Sequence, residues 1–266
     1  MNKIGIIGIG FVGNAIKSFF NIKKNNVFCY DKYQEKYNNF ENILHTEILF
    51  LCLPTLYSDN EKEYDKKPLE ENIKLLSENN YNGIIIIKST VEPTITKYFN
   101  NKYDNLKIVH NPEFLSAKTA TEDFKNQNHI ILGFTVQSKK IEKDITNFYK
   151  FYFPYSEITI SDSDESETIK ICCNSFYSVK IQFFNEIFDL CKKINIDYNF
   201  VKNSIIKNGW VNKMHTDVPG SDGKLSYGGA CFPKDTCALL EFMKKNNIIH
   251  GVLESTINER NNIRDK

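Results

Sequence analysis

The chain opens on a short apolar run, Lys3-Ile4-Gly5-Ile6-Ile7-Gly8, and runs of this kind recur down its first half, each closed by a polar cluster. They are Asn26 to Tyr30, Glu47 to Leu53, Gly83 to Ile87, Leu106 to Val109, His129 to Gly133 and Ile158 to Ile160. Runs this short are strands. Near-continuous hydrophobicity, rather than alternation, marks strands buried on both faces. Helical stretches lie between them, from Val12 to Phe20 and again from Leu69 to Leu76, while the polar segment Tyr57 to Lys67 reads as a loop. Strands alternating with helices predict an α/β fold: a doubly wound, mostly parallel sheet whose ligands lie beyond the carboxyl ends of the strands. The polar clusters at those ends are Pro54-Thr55, Ser89-Thr90 and Asn111 to Glu113.

The pattern changes after Ile160. Ser161 to Glu165 supplies capping residues and acids suited to a first helical turn. From there to about Ile194 no Gly or Pro interrupts a helical pattern of about 30 residues, about 45 Å long. A helix of that length predicts a passage between domains or packing against a twin in a homodimer. Tyr198 to Lys207 is a further helix. A loop follows from Asn208 to Gly229, then two closing helices, Pro233 to Lys245 and Ile249 to Asn262. The division predicted is a nucleotide-binding domain over 1–160 and an all-α domain, built on one long helix, over 161–266.

Composition narrows the classes. A net charge of +1 on 266 residues argues against nucleic-acid and membrane-surface binding. No apolar run reaches membrane-spanning length, and the N-terminus reads as a strand rather than a signal peptide. Seven cysteines with no Cys-x-x-Cys pair, and histidines scattered away from other ligands, predict a reduced, cytoplasmic protein without a metal site.

Two stretches carry chemistry. Gly8-Ile9-Gly10-Phe11-Val12-Gly13 follows a strand and opens a helix. In such a turn Gly8 makes the bend, Gly10 admits a pyrophosphate, Gly13 permits close packing, and helix amides meet the phosphates. Asp31 ends the next strand, 18 residues after Gly13. That is where an acid hydrogen-bonds the adenosine ribose, which favours NAD over NADP in a Rossmann-type domain. The second stretch is Tyr227-Gly228-Gly229-Ala230-Cys231-Phe232-Pro233-Lys234-Asp235. Glycines allow a tight approach, Pro233 suits a first helical turn, and a thiol at a helix start beside a cation is the setting of a nucleophile. A buried structural cysteine is the plain alternative. Lys170 and Asn174, four residues apart, share a helical face and on spacing alone read as a solvated pair.

Taken together, these motifs resemble the UDP-glucose/GDP-mannose dehydrogenase family. The resemblance rests on Gly8 to Gly13, Leu51 to Thr55, Lys88-Ser89-Thr90-Val91, Asn111 to Leu115, Glu167 to Lys170 with Asn174, Phe184-Asn185-Glu186, and Gly228 to Asp235, in the family's order. It implies NAD-dependent, four-electron oxidation of a nucleotide-sugar C6 alcohol to a carboxylate, with UDP-glucose to UDP-glucuronate the leading case. Cys231 would form a thiohemiacetal and then a thioester. Lys170 and Asn174 would stabilise the oxyanion, which replaces the solvated-pair reading. Asp235 would orient water or act as a base, Thr90 would hold a water, and Glu113 would serve as base in hydrolysis. The cofactor would lie against Gly8, Gly10, Phe11, Val12, Gly13, Asp31, Pro54, Thr55, Ser89 and Thr90. The sugar nucleotide would meet Glu113, Phe114, Leu115, Lys170, Asn174, Tyr227, Gly228 and Gly229.

The chain departs from the family pattern in several places. Ala117 stands where a Glu is usual, Ser116 and Lys118 are unusual beside it, His129 replaces a common Arg, and Thr94 replaces a Gly. The family's third domain, which grips the nucleotide, would begin about where Lys266 stands. Two other readings stay open: a two-electron β-hydroxyacid-type dehydrogenase, which needs no Cys231, and a catalytically inactive NAD-binding subunit.

Overall fold

The computed structural model describes residues 2–264. A seven-stranded sheet is built from β1 (Lys3–Ile7), β2 (Asn26–Tyr30), β3 (Ile48–Leu51), β6 (Ile84–Ile87), β7 (Lys107–His110), β8 (His129–Phe134) and β9 (Glu157–Asp162), in the order β2-β1-β3-β6-β7-β8-β9. All neighbours are parallel except β7 and β8. The helices interleaved with these strands are α1 (Phe11–Ile22), α2 (Glu41–Leu44), α3 (Lys67–Glu78), α4 (Ile95–Lys102), α5 (Ala120–Lys125) and α6 (Glu142–Tyr152). The segment read as a loop holds two two-residue strands, β4 (Tyr57–Ser58) and β5 (Glu63–Tyr64), and α3 starts at its end. They are too short to leave an apolar signal.

The four isoleucines of β6 explain why the sheet is covered on both sides. Side chains alternate across a strand. Ile86 joins one core with Ile4, Ile6, Phe20 and Phe148. Ile85 and Ile87 join the other with Leu69, Ile73, Leu76 and Phe99. Each fully buried Ile, Leu or Phe contributes about 1.5–3 kcal/mol, so a strand apolar on both faces is held by two helical layers. The chain moves from β1 to β2 on one side and to β3 on the other, which makes the gap between β1 and β3 the switch point where ligands bind in such sheets.

The remaining helices are α7 (Ser163–Lys193), α8 (Tyr198–Lys207), α9 (Phe232–Lys245) and α10 (Gly251–Ile263). Helix α7 runs 31 residues. Its start is closed by Glu165, whose carboxylate accepts the Asp162 N–H at 2.9 Å, a reach-back typical of helix N-termini. By contacts the chain divides into two compact units, Met1–Leu56 with Tyr64–Lys170, and Tyr57–Glu63 with Ile171–Lys266. The composition shift at 160/161 marks the start of α7, whereas this division falls two turns inside it.

Candidate active site

In the first unit the glycine turn has the form its spacing predicts. Gly8 sits at φ +89, and a Cβ there would stand 2.5 Å from the Cys52 carbonyl oxygen. A Cβ on Gly13 would run into the Gly8 carbonyl, whereas the Cβ position of Gly10 faces open space. Helix α1 starts directly after Gly10, and Phe11, its first residue, is 43% exposed. The Asp31 carboxylate accepts from the Ile9 N–H (2.8 Å), the Tyr33 N–H (3.0 Å) and Gln34 Nε2 (3.1 Å). A carboxylate has about four acceptor positions, so Asp31 braces the glycine turn and keeps capacity for a ribose hydroxyl. An open approach at Gly10, a helix start and an acid with a lone pair to spare fit a dinucleotide.

The ends of the central strands are laced together. Ser89 Oγ donates to the Leu53 carbonyl at 2.7 Å and Thr55 Oγ1 to the Thr90 carbonyl at 2.6 Å. These two hydroxyls therefore shape the backbone around Pro54 and Thr90. Beside them lies a buried charged cluster. Lys170 Nζ is 3.5 Å from Glu113 Oε1 and 5.1 Å from the centre of the Phe114 ring. Glu113 Oε2 accepts the Leu115 N–H at 2.6 Å. Both charged side chains are at least nine-tenths buried, so Lys170 is not the solvated cation its spacing suggested.

Beneath that pair is Lys88, 3% exposed, at the end of β6. Its ammonium donates to Asn111 Oδ1 at 2.6 Å and to the Pro112 carbonyl at 3.4 Å, and the Tyr149 hydroxyl donates to the same Asn111 oxygen at 2.6 Å. Burial pulls the Lys88 ammonium down to about 8. Burial also pushes the Cys52 thiol up to about 12, a neutral thiol and not a nucleophile. His110 is fully buried, hydrogen-bonded through Nδ1 to Ser166, and pulled down to about 3, so it stays neutral. The signal for Lys88 was a cation directly after four isoleucines; Tyr149 left no signal in the sequence.

Glu167 is fully buried and accepts the Thr94 and Thr96 N–H groups, both at 2.7 Å, which caps α4 with a carboxylate. Thr94 itself sits at φ +84, the left-handed region. That backbone explains why a Gly suits this position and why Thr is an awkward residue in it.

In the second unit, Cys231 is the residue from which α9 starts, and the Asp235 N–H donates to its carbonyl at 2.9 Å. Pro233 occupies the first turn, as expected. Asp235 is fully buried: Asn174 Nδ2 donates to one carboxylate oxygen at 2.6 Å and Lys234 Nζ to the other at 2.5 Å. The Thr236 hydroxyl lies 2.7 Å from Ser178 Oγ. Asn174 is thus a buried anchor for Asp235 rather than a solvated residue. Gly229 takes φ +78, and Tyr227 is buried two residues before it. The first unit therefore brings together the glycine turn, Asp31, the strand ends, Glu113, Phe114, Leu115 and Lys170. The second gathers Asn174, Tyr227, Gly228, Gly229, Cys231 and Asp235.

Comparison with known proteins gives the following. A family model described as the UDP-glucose/GDP-mannose dehydrogenase family, NAD binding domain, matches residues 36–152, and the model of that family's central domain matches 164–262. The UDP-glucose 6-dehydrogenase of Rickettsia bellii is 34% identical over 236 residues, covering 85% of this chain and 51% of that protein. Among solved structures, the UDP-glucose dehydrogenase of the archaeon Pyrobaculum islandicum has a TM-score of 0.83 at 19% identity, over 97% of this chain and 67% of that one. The 3-hydroxyisobutyrate dehydrogenase of Mycobacterium tuberculosis has a TM-score of 0.77 at 14% identity, over 97% and 92%. At those identities the two structures share the fold. The chain spans about half the length of the Rickettsia proteins it matches.

Proposed function

This chain belongs to the UDP-glucose/GDP-mannose dehydrogenase family, and from that premise we propose that it carries out the NAD-dependent, four-electron oxidation of a nucleotide sugar at C6, with UDP-glucose as substrate and UDP-glucuronate as product. Gly8, Gly10, Phe11, Val12, Gly13, Asp31, Pro54, Thr55, Ser89 and Thr90 would hold NAD, which when bound supplies the hydride acceptor for both oxidations. The rest of the chemistry falls to side chains of this chain. The Cys231 thiolate adds to the C6 aldehyde carbon, and the carbonyl pair moves onto oxygen to give a thiohemiacetal. Lys170 and Asn174 donate hydrogen bonds to that oxygen as its charge develops. After the adduct has been oxidised to a thioester, Glu113 takes a proton from a water held by Thr90 and oriented by Asp235. The water oxygen bonds to the acyl carbon, the C–S bond breaks, and Cys231 leaves as thiolate. Phe114, Leu115, Tyr227, Gly228 and Gly229 line the path of the sugar nucleotide.

The observation that carries this reading is the setting of Cys231: a cysteine at the start of α9, one turn from a buried Asp235 that Asn174 and Lys234 hold by both oxygens. A two-electron hydroxyacid dehydrogenase shares the fold, so the number of hydrides, not the architecture, separates the readings. The test is NADH counted per sugar consumed, with UDP-glucose, GDP-mannose and UDP-N-acetylhexosamines in parallel. Two NADH per UDP-glucose is expected. One per sugar removes the thioester route, and tight NAD binding without turnover on any of them favours an inactive subunit.

A further inference from the structure

The turn that leads into the cysteine motif holds a strained residue. Ser226 lies five positions before Cys231, is 4% exposed, and sits at φ +56, where a side chain is disfavoured. Such a conformation persists only where the surroundings over-determine it. Here they do, from two helices of the same unit. From α7, Asn185 Oδ1 accepts the Ser226 N–H at 2.8 Å, and Gln182 Oε1 accepts its hydroxyl at 2.7 Å. The Asn185 amide is aimed by its own Nδ2, which donates to the Ile181 carbonyl at 2.8 Å and leaves the oxygen facing the turn. From the residue directly after α10, Arg264 Nη1 donates to the Leu225 and Ser226 carbonyls at 2.8 and 2.7 Å, and its Nη2 pairs with Asp222. Arg260 Nε donates to the Tyr227 carbonyl at 3.3 Å. The same guanidinium of Arg264 covers Gly228, where a Cβ would collide with it.

Every polar group of Ser226 is therefore held by a different side chain, two of them on α7 and the third at the C-terminal end of α10. Helix α7 also holds Asp235 through Asn174 and lies against Thr236 through Ser178. Asn174, Ser178, Gln182 and Asn185 follow one another at spacings of four, four and three, all buried, as one polar seam on one helical face. The seam grips the chain just before and just after the nucleophile motif. We propose that Asn185 is a positioning residue: with Arg264 it holds Ser226 in the left-handed conformation and so sets the course of the backbone from Tyr227 to Cys231. This rests on the reading of Cys231 as the nucleophile; the test keeps the two claims apart.

The test reads backbone hydrogen exchange over Tyr227 to Ala230, and kcat and KM for NADH production, in the full chain. Asn185→Ala should speed exchange there about tenfold, the scale of one lost buried hydrogen bond, and lower kcat at least as much with KM for NAD unchanged. Adding Ser226→Gly to Asn185→Ala should recover part of both, because glycine takes positive φ without strain although the bond to Asn185 stays lost. Unchanged exchange in Asn185→Ala, or no rescue by Ser226→Gly, overturns the proposal. If Asn185→Ala does not fold, Arg264→Gln must raise the same exchange, and its silence overturns the proposal equally. If the unaltered protein makes no NADH, the functional reading falls, and exchange with its rescue alone decides the positioning role.

Discussion

Single residues decide both the chemistry and its cost in stability. Cys231 is set apart from Cys52 by surroundings: the one starts a helix and is half-buried, the other is a neutral thiol whose titration burial has pushed up to about 12. Cys231→Ala should therefore abolish acid formation while leaving NAD affinity within about twofold, since the predicted cofactor residues lie elsewhere; ordinary acid yield from this variant would remove Cys231 from the mechanism. Thr94 marks a cost. A β-branched residue at φ +84 loses about 1–2 kcal/mol to strain, and glycine there gives back about 0.5–1 kcal/mol in backbone entropy. Thr94→Gly should then stabilise the protein by about 1 kcal/mol, raising Tm by about 2–4 °C. A fall in Tm on calorimetry would mean that the threonine side chain has a role that outweighs its backbone. The need for glycine at this position was legible only through the family resemblance. The positive φ that explains it came from the folded chain.

At the scale of elements, α4 starts where a buried carboxylate from α7 receives its first amides. Burial pushes Glu167 up to about 7, against the hydrogen bonds from Thr96 and Thr94 that pull it down. The unfolded carboxyl titrates near 4.5, so between those values the native state holds the extra proton. The resulting stability is fully present below pH 4.5 and is lost as the pH rises through 7, a swing of about 3 kcal/mol at most. Thermal midpoints measured from pH 4.5 to 8 should fall with rising pH, and Glu167→Gln, which cannot ionise, should flatten that slope; a parallel slope in the variant would assign the effect to another group. The sequence announced the helix start through Ser161 to Glu165, but a carboxylate in the second turn capping a different helix 71 residues upstream is a tertiary arrangement. Periodicity cannot report it.

For the whole molecule, we propose that α7, by its length and exposed side, packs against its twin in a homodimer. Phe176, Phe183 and Leu190, seven residues apart, are each more than half exposed, a spacing that lines one face of a helix meeting a partner. Light scattering at micromolar concentration should give twice the chain mass, and Phe183→Glu should halve it; a monomer before substitution would count against the dimer. The parallel sheet, the glycine turn with its acid, the long helix and the cysteine at a helix start could all be read from the chain. Each is written in contiguous residues, as unbroken apolar runs, as glycines at fixed offsets, or as a stretch without Gly or Pro. What only the tertiary structure decided is which polar groups leave water. Lys170 and Asn174 read as solvated and are buried on Glu113 and Asp235; Lys88, directly after its strand, gives its buried ammonium to Asn111 and the Pro112 carbonyl; Ser226 is held in a disfavoured conformation by side chains from α7 and the end of α10. Burial depends on neighbours distant in sequence, and the cost of desolvating an amide or a charge is met only where those partners converge.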